Sequence, residues 1–155
     1  MCEGKAICCR RLVVTSDASM QTRHILIVDN DIAAGLVTQH GLQRALGAAF
    51  SVIAASSQDS DQVRSTYNSF DLLIIDPSSQ NHTSLGVIKA FRQAYPQAPV
   101  LILTAYDTPR LRREMRDLGI IHYLSKSIDL QRLELSVRLA LGLEKVQTSP
   151  STVAF

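Results

Sequence analysis

The amino-acid sequence predicts an α/β fold, in which a parallel sheet of five strands carries helices on both faces. Five short apolar runs alternate with segments of helical pattern, which is typical of repeated strand–helix units. The central run, residues 71–76, places four large apolar residues between two aspartates and indicates a strand buried on both faces. A length of 155 residues with 46% hydrophobic content fits one domain with a sizeable core.

The predicted strands are the apolar runs themselves. Each is followed by polar residues or by a glycine- or proline-bearing loop, which ends a strand. They cover residues 24–28, 50–54, 71–76, 100–105 and 120–124.

The first predicted helix runs from Asp31, a plausible N-cap, to Leu46, and Gly47 supplies the stop. Gly35 and Gly41 weaken its helical propensity. The residues with core spacing, which we expect to face the sheet, are Ile32, Leu36 and Val37.

Four further helices complete the alternation. A short polar helix spans 59–67, and after a loop at 77–83 another helix ends before Pro96. The next helix opens at 107–109, with a proline near its first turn, and closes at Gly119. The last runs from about 129 to 144. Its predicted sheet-facing residues are Leu130, Leu133, Val137, Ala140 and Leu141.

Polar and charged residues follow four of the strands at the edge where parallel strands end. This edge is where ligands bind in open parallel sheets, so a carboxylate there is positioned to bind a ligand or to take part in a reaction. A plain turn or cap is the simpler interpretation of Asp76 alone, because aspartate before proline often starts a turn. The residues at this edge are Asp29, Asn30, Asp31, Asp76, Thr104 and Lys126.

Together these residues resemble the receiver domain of two-component response regulators. The matching strings are ILIVDND, DLLIID, VLILTA and YLSKS, within residues 23–143. The resemblance implies a flavodoxin-like, doubly wound sheet of order 2-1-3-4-5 with five helices. It also implies a chain that catalyses only its own phosphorylation and dephosphorylation.

The resemblance implies a role for each residue at this edge. Asp76 would accept a phosphoryl group from a histidine kinase or phosphotransfer protein, and Thr104 and Lys126 would contact that group. Thr104 and Tyr123 would form a coupled switch that alters affinity for a downstream protein partner. Magnesium would be held by oxygen ligands. The implied ligands are Asp29, Asn30, Asp31, Asp76 and the backbone carbonyl near Ser78.

Three positions depart from the family pattern. The family has a second acid where this chain has Asn30. The family loop after the phosphoacceptor normally carries Met-Pro and then a glycine, whereas Pro77 follows Asp76 directly here. The family also has a proline where this chain has Ser127. We therefore expect magnesium to bind weakly. One alternative is a pseudo-receiver that keeps the fold as a constitutive protein-binding module. Another is a small hydrolase of the aspartyl-phosphate kind, which the absence of any cap-like insertion disfavours.

Composition limits the remaining function classes. The net charge of +2 is too small to indicate a nucleic-acid partner. A local basic patch without a recognition motif is formed by arginines 110, 112, 113 and 116. No run reaches the length of a membrane span. The three cysteines fall within residues 1–9 and lack metal or disulfide spacing. We expect a cytoplasmic single-domain protein with a flexible extension at 1–22, a receiver domain at 23–143 and a flexible tail at 144–155.

The last helix carries a second apolar row on the side opposite the sheet. Such a row marks a contact, and we expect it to pair two copies of the chain or to bind a helix of another protein. Scattered surface leucine is the simpler interpretation. The row consists of Leu135, Leu139, Leu143 and Val146.

Overall fold

Five parallel strands form the centre of the protein in the computed structural model, which describes residues 21–77 and 83–144. Their order across the sheet is β2-β1-β3-β4-β5, and all four neighbouring pairs are parallel. This confirms the predicted flavodoxin-like fold. The strands are β1 (Arg23–Val28), β2 (Phe50–Ala55), β3 (Leu72–Ile75), β4 (Val100–Thr104) and β5 (His122–Ser125).

Within the described residues, five helices alternate with the strands, as predicted. No helix within the described ranges is long and apolar enough to cross a membrane. The helices are α1 (Ile32–Leu46), α2 (Ser60–Thr66), α3 (Thr83–Ala94), α4 (Pro109–Asp117) and α5 (Leu130–Ala140).

The sheet separates two apolar layers. On one face α1 and α5 pack through side chains such as Leu42 and Val137, both fully buried. On the other face α3 and α4 contribute Phe91 and Met115, and α2 packs against the same cluster through the partly buried Val63. No residue of β3 is more than 1% exposed, which confirms that the DLLIID run is covered on both sides.

The predicted cap and stop of α1 are confirmed, and α4 and α5 also begin at capping side chains. The Asp31 carboxylate accepts a hydrogen bond from the Ala34 N–H (3.1 Å), and Asp129 caps α5 in the same way. At α4 the cap is the hydroxyl of Thr108, with Pro109 in the first turn. Gly47 ends α1 with a φ of 79°, in the left-handed region that glycine adopts without strain.

The predicted core face of α1 was wrong. Ile32 and Val37 are 67% and 74% exposed, and Leu36 is exposed as well. The buried residues of this helix are instead Gly35, Leu42 and Leu46.

The reason lies at the open edge of β2, whose outer backbone groups need hydrogen-bond partners. The Gln39 side chain donates to the Val52 carbonyl (2.9 Å). Gln43 donates to the Phe50 carbonyl and accepts from the Val52 N–H (both 2.9 Å). Turning α1 so that these amides reach β2 leaves the three apolar residues in solvent.

Close packing explains why α1 has glycine at positions 35 and 41. A Cβ built on Gly35 would lie 3.3 Å from the Cβ of Asp29, and one on Gly41 would lie 3.1 Å from a methyl group of Leu130. Gly35 therefore lets the helix approach the end of β1, and Gly41 lets α5 pack closely. Leu130, predicted to face the sheet, remains 43% exposed beside Gly41.

Two predicted boundaries need correction. Strand β5 begins at His122 rather than Ile120, and Ile121 is 84% exposed just before it. Helix α5 ends at Ala140 rather than near 144, because Gly142 adopts a φ of 68° and turns the chain. Leu143 then donates its N–H to the Arg138 carbonyl (2.8 Å), in a helix-terminating turn.

The predicted apolar row on α5 is therefore shorter than a four-residue helical stripe. Leu135 is 50% exposed and Leu139 is half-buried on the helix, whereas Leu143 follows the terminating turn at 41% exposure. Val146 lies outside the described residues. Most of the predicted extension and tail does too, since residues 1–20 and 145–155 are not described.

We expect alanine at two glycines to change stability in opposite directions. Gly86 lies exposed within α3 with open space around it, so Gly86→Ala should raise the free energy of unfolding by about 0.5–1 kcal/mol. Gly47 also has open space but a φ of 79°, so Gly47→Ala should lower it by about 1–2 kcal/mol. Urea denaturation of both variants measures this, and shifts of the same sign would contradict the assignment.

Candidate functional site

Strand register brings Asp29 and Asp76 side by side. Val28 of β1 is paired with Ile75 of β3, so the residues that follow them leave the sheet together. The Asp76 N–H donates to the Val28 carbonyl (3.0 Å), and the Asp29 N–H donates to Ala55 of β2 (3.1 Å). The sheet itself thus fixes the backbone beneath both carboxylates.

Lys126, the residue after β5, meets these carboxylates at the same edge of the sheet. Its N–H donates to the Thr104 carbonyl (2.8 Å), which extends the pairing of β4 with β5 by one residue. Its Nζ lies 2.6 Å from Asp29 Oδ2 and 2.7 Å from Asp76 Oδ2. The three side chains are 22%, 7% and 9% exposed respectively, so water screens this cluster only weakly.

The protonation of Lys126 follows from these neighbours. Burial disfavours its charged form, but hydrogen bonds and charge from Asp29 and Asp76 outweigh that effect and raise the pKa of Lys126 above its usual value. The ammonium is therefore charged at neutral pH. Two carboxylates share one ammonium, which leaves the cluster with a net negative charge.

The two carboxylates differ in their second oxygen. Asp29 Oδ1 accepts from the Asp31 N–H (2.9 Å), whereas Asp76 Oδ1 is buried without a hydrogen-bond partner among the described residues. A buried acceptor without a donor is costly unless a cation or another group completes it. Among the described residues, Asp76 Oδ1 is therefore the one oxygen of these two carboxylates that has neither a hydrogen bond nor an ion pair.

The remaining predicted magnesium ligands are engaged elsewhere. Asn30 is exposed, and its Oδ1 accepts from the Ser57 N–H in the loop after β2 (3.2 Å). Asp31 is exposed and caps α1, and Ser78 lies outside the described residues. In the described ranges, no three His, Cys, Asp or Glu side chains form a group that could hold a metal. Asp29 and Asp76 alone supply converging carboxylate oxygens, which fit a hard cation with few protein ligands.

Thr104 is the last residue of β4, and Tyr123 is the second residue of the neighbouring strand β5. Thr104 is fully buried, and its Oγ1 accepts from the Tyr106 N–H (3.1 Å). Tyr123 is half-buried with a buried hydroxyl oxygen, and it is paired with Ile102 of β4. Burial, together with the nearby charges of Asp107 and Asp76, raises the pKa of Tyr123 to about 12. Its phenol is therefore neutral under physiological conditions.

Sequence reasoning missed the side chains around Tyr123. The guanidinium of Arg112 lies 5.0 Å from the ring centroid, a cation–π distance, and its Nε donates to Asp107 Oδ1 (2.6 Å). That hydrogen bond lowers the pKa of Asp107. The predicted basic patch contained Arg112, but only the fold shows that this residue covers the ring.

Gly35 was also missed as a site residue, although the sequence held a signal. A glycine inside a helical pattern costs about 1 kcal/mol relative to alanine, so a packing or functional reason for it is often found. Here it lies against Asp29, so the position of that carboxylate depends on the missing side chain.

Comparison with known proteins identifies the family. The model of the response regulator receiver domain matches residues 25–138, most of the described chain. The chain belongs to this family. Receiver domains are the response-regulator part of two-component systems, which confirms the resemblance drawn from the four strand-end motifs.

Curated relatives are longer proteins. The transcriptional regulatory protein ZraR of Klebsiella oxytoca is 30% identical over 128 residues, covering 83% of this chain and 28% of that protein. ZraR of Escherichia coli K12 is 31% identical over 118 residues, covering 76% of this chain and 26% of that protein. The chain therefore spans about a quarter of the length of these relatives.

Solved structures support the fold. A response regulator from Thermotoga maritima superposes with a TM-score of 0.66 at 24% identity, covering 78% of this chain and 98% of that one. At this identity the likeness concerns the architecture alone.

We expect Lys126→Met to lower the free energy of unfolding at neutral pH by about 2–3 kcal/mol, because it leaves two buried carboxylates facing each other. Adding Asp76→Asn should recover much of the loss. The raised lysine pKa also means that this stabilisation is present below the ordinary lysine value and is lost as the pH rises through the raised one. Chemical denaturation from neutral to alkaline pH measures both effects, and an unaffected Lys126→Met variant would contradict them.

Proposed function

We propose that Asp76 is the phosphoacceptor of this receiver domain and that a histidine kinase or phosphotransfer protein is its donor. One observation carries the proposal: Asp76 Oδ2 is held by Lys126, while Oδ1 is buried and unpaired among the described residues. The carboxylate is thus oriented by one oxygen and reactive through the other.

The chemistry is a transfer between two nucleophiles. A carboxylate oxygen of Asp76 attacks phosphorus, the bond from phosphorus to the donor histidine nitrogen breaks, and an acyl phosphate forms. Such transfer depends chiefly on positioning and on neutralising the phosphoryl oxygens. The Lys126 ammonium, already placed between Asp29 and Asp76, supplies one positive charge, and the buried hydroxyl of Thr104 supplies a donor. The chain catalyses only its own phosphorylation and dephosphorylation.

Magnesium is the proposed cofactor, held by Asp29 and Asp76. When bound, it neutralises charge on the phosphoryl oxygens. We propose weak binding, because the Asn30 amide oxygen accepts from Ser57 and the Asp31 carboxylate caps α1. The backbone carbonyl near Ser78 completes the proposed ligand set.

Helix α1 begins beside Asp29 and carries three exposed apolar residues in its first half. Ile32 follows the capping Asp31 directly, and Leu36 and Val37 lie one turn further on. Contiguous exposed apolar residues of this kind often mark a contact with another protein. We propose that the phosphodonor protein packs on them while its histidine reaches Asp76.

The proposed readout is a protein partner. Phosphorylation would change the arrangement of Thr104 and Tyr123 and thereby the affinity of the surface around β5. The homodimer stays a prediction and now depends on Leu135, Leu139 and Leu143. We place the receiver domain at residues 23–143 and its action in the cytoplasm.

A second candidate is a pseudo-receiver that binds a partner without phosphorylation. Asn30 and Asp31 form hydrogen bonds away from Asp76, which leaves few ligands for a cation. This arrangement favours the pseudo-receiver.

Incubating the chain with magnesium and millimolar acetyl phosphate should add the mass of one phosphoryl group, seen by intact mass spectrometry. The group should be labile in base, as an acyl phosphate is, and absent in Asp76→Asn. The matched variant Asp117→Asn changes an exposed aspartate on α4 and should be modified like the wild type. If neither the wild type nor the Asp117→Asn variant gains mass, the pseudo-receiver is the better description.

We expect Asn30→Asp to bind magnesium about tenfold more tightly, since a full charge at a hard-cation site contributes on the order of 1–2 kcal/mol after screening. Asp31→Asn is the matched control and should leave affinity unchanged, because asparagine caps a helix as well as aspartate does. Calorimetric titration of the three proteins compares the affinities. Weaker binding by Asp31→Asn would instead make Asp31 a ligand.

A further inference from the structure

Helix α4 carries a surface depression of about 380 Å³ that is lined mainly by arginines. Arg116 is four residues after Arg112 and three after Arg113, so it is the helix-surface neighbour of both, and all three line the depression. We call this feature the arginine depression. Its lining residues are Asp107, Pro109, Arg112, Arg113 and Arg116.

The arginines of this helix differ in how they are neutralised. Arg110 pairs with Glu114 (3.0 Å), and Arg112 pairs with Asp107. Arg113 and Arg116 are exposed, and neither has a carboxylate within salt-bridge distance among the described residues. The arginine depression therefore holds three guanidinium groups against one carboxylate, and two of the three are free to bind an anion.

We propose that the arginine depression is a docking site for an acidic segment of a protein partner. Guanidinium groups bind carboxylates through paired hydrogen bonds, so two free arginines one turn apart match a segment with two nearby acids. The concave shape, with Pro109 in its wall, accommodates side chains of an extended segment.

Nucleic acid fits this surface less well. Helix α4 has nine residues and a length of about 14 Å, and the acids Asp107, Glu114 and Asp117 interrupt its basic character. A phosphate backbone would meet these carboxylates as well as the arginines. Nucleic-acid binding usually depends on many phosphate contacts over a broader basic surface.

Arg112 connects the arginine depression to the interior. It bonds to Asp107 at the surface and lies over the ring of Tyr123 in β5. An incoming carboxylate competes with Asp107 for this guanidinium. Occupation of the depression therefore alters the contacts of Tyr123, independently of whether Asp76 is phosphorylated.

The test measures binding of a fluorescein-labelled hexaglutamate peptide by fluorescence anisotropy at low ionic strength, using the whole unphosphorylated chain. Arg113→Gln/Arg116→Gln should weaken binding about tenfold, since each exposed charge pair contributes modestly. Arg44→Gln/Arg132→Gln removes the same charge from exposed positions on the opposite face of the sheet and should bind like the wild type. Asp107→Asn should bind more tightly, because it removes the competing carboxylate.

Three outcomes would overturn the proposal. They are no binding by the wild type, an equal loss in both double variants, or tighter arginine-dependent binding of duplex DNA of random sequence in the same assay. Circular dichroism of each variant excludes loss of folding as the cause. Because no phosphodonor is present, failure here leaves the role of Asp76 to be decided by its own mass measurement.

Discussion

Two buried carboxylates sharing one ammonium form the interaction on which the site depends. Asp29 and Asp76 lie next to each other because β1 and β3 are paired in register, and their charges would repel without Lys126 between them. Lys126 is in turn held by its backbone bond to Thr104 at the end of β4. The order of the strands is thus coupled directly to the electrostatics of the site.

The balance in this cluster is incomplete by one charge, which gives the site its chemical character. The Lys126 ammonium neutralises only one of the two carboxylate charges, so the electrostatics of the cluster favour a further cation. The neighbouring side chains that could supply further ligands make other contacts. Asn30 accepts a hydrogen bond from the loop after β2, and Asp31 caps α1. These local contacts are the reason for our proposal that magnesium binds weakly.

Most of the architecture could be predicted from the sequence because its signals are local. Apolar runs, the cap at Asp31 and the glycine stop at Gly47 each depend on near neighbours in the chain. The family motifs then supplied the site, since each lies at a strand end. The family assignment and the strand order are confirmed, whereas the roles of the individual residues stay predictions.

What the sequence could not show depends on contacts between distant segments. The face that α1 presents was decided by the open edge of β2, not by its apolar spacing. The end of α5 was decided by the backbone conformation of Gly142. The Arg112 side chain of α4 lies over the Tyr123 ring of β5, and no sequence pattern within either element predicts this contact.

The glutamines that bond to β2 have a consequence for association. An edge strand with free backbone groups is a template on which a strand of another molecule can add, and this is a common route to aggregation. Gln39 and Gln43 occupy the groups of Phe50 and Val52 that such a strand would use. The sheet is therefore protected from adding a further strand along this part of β2.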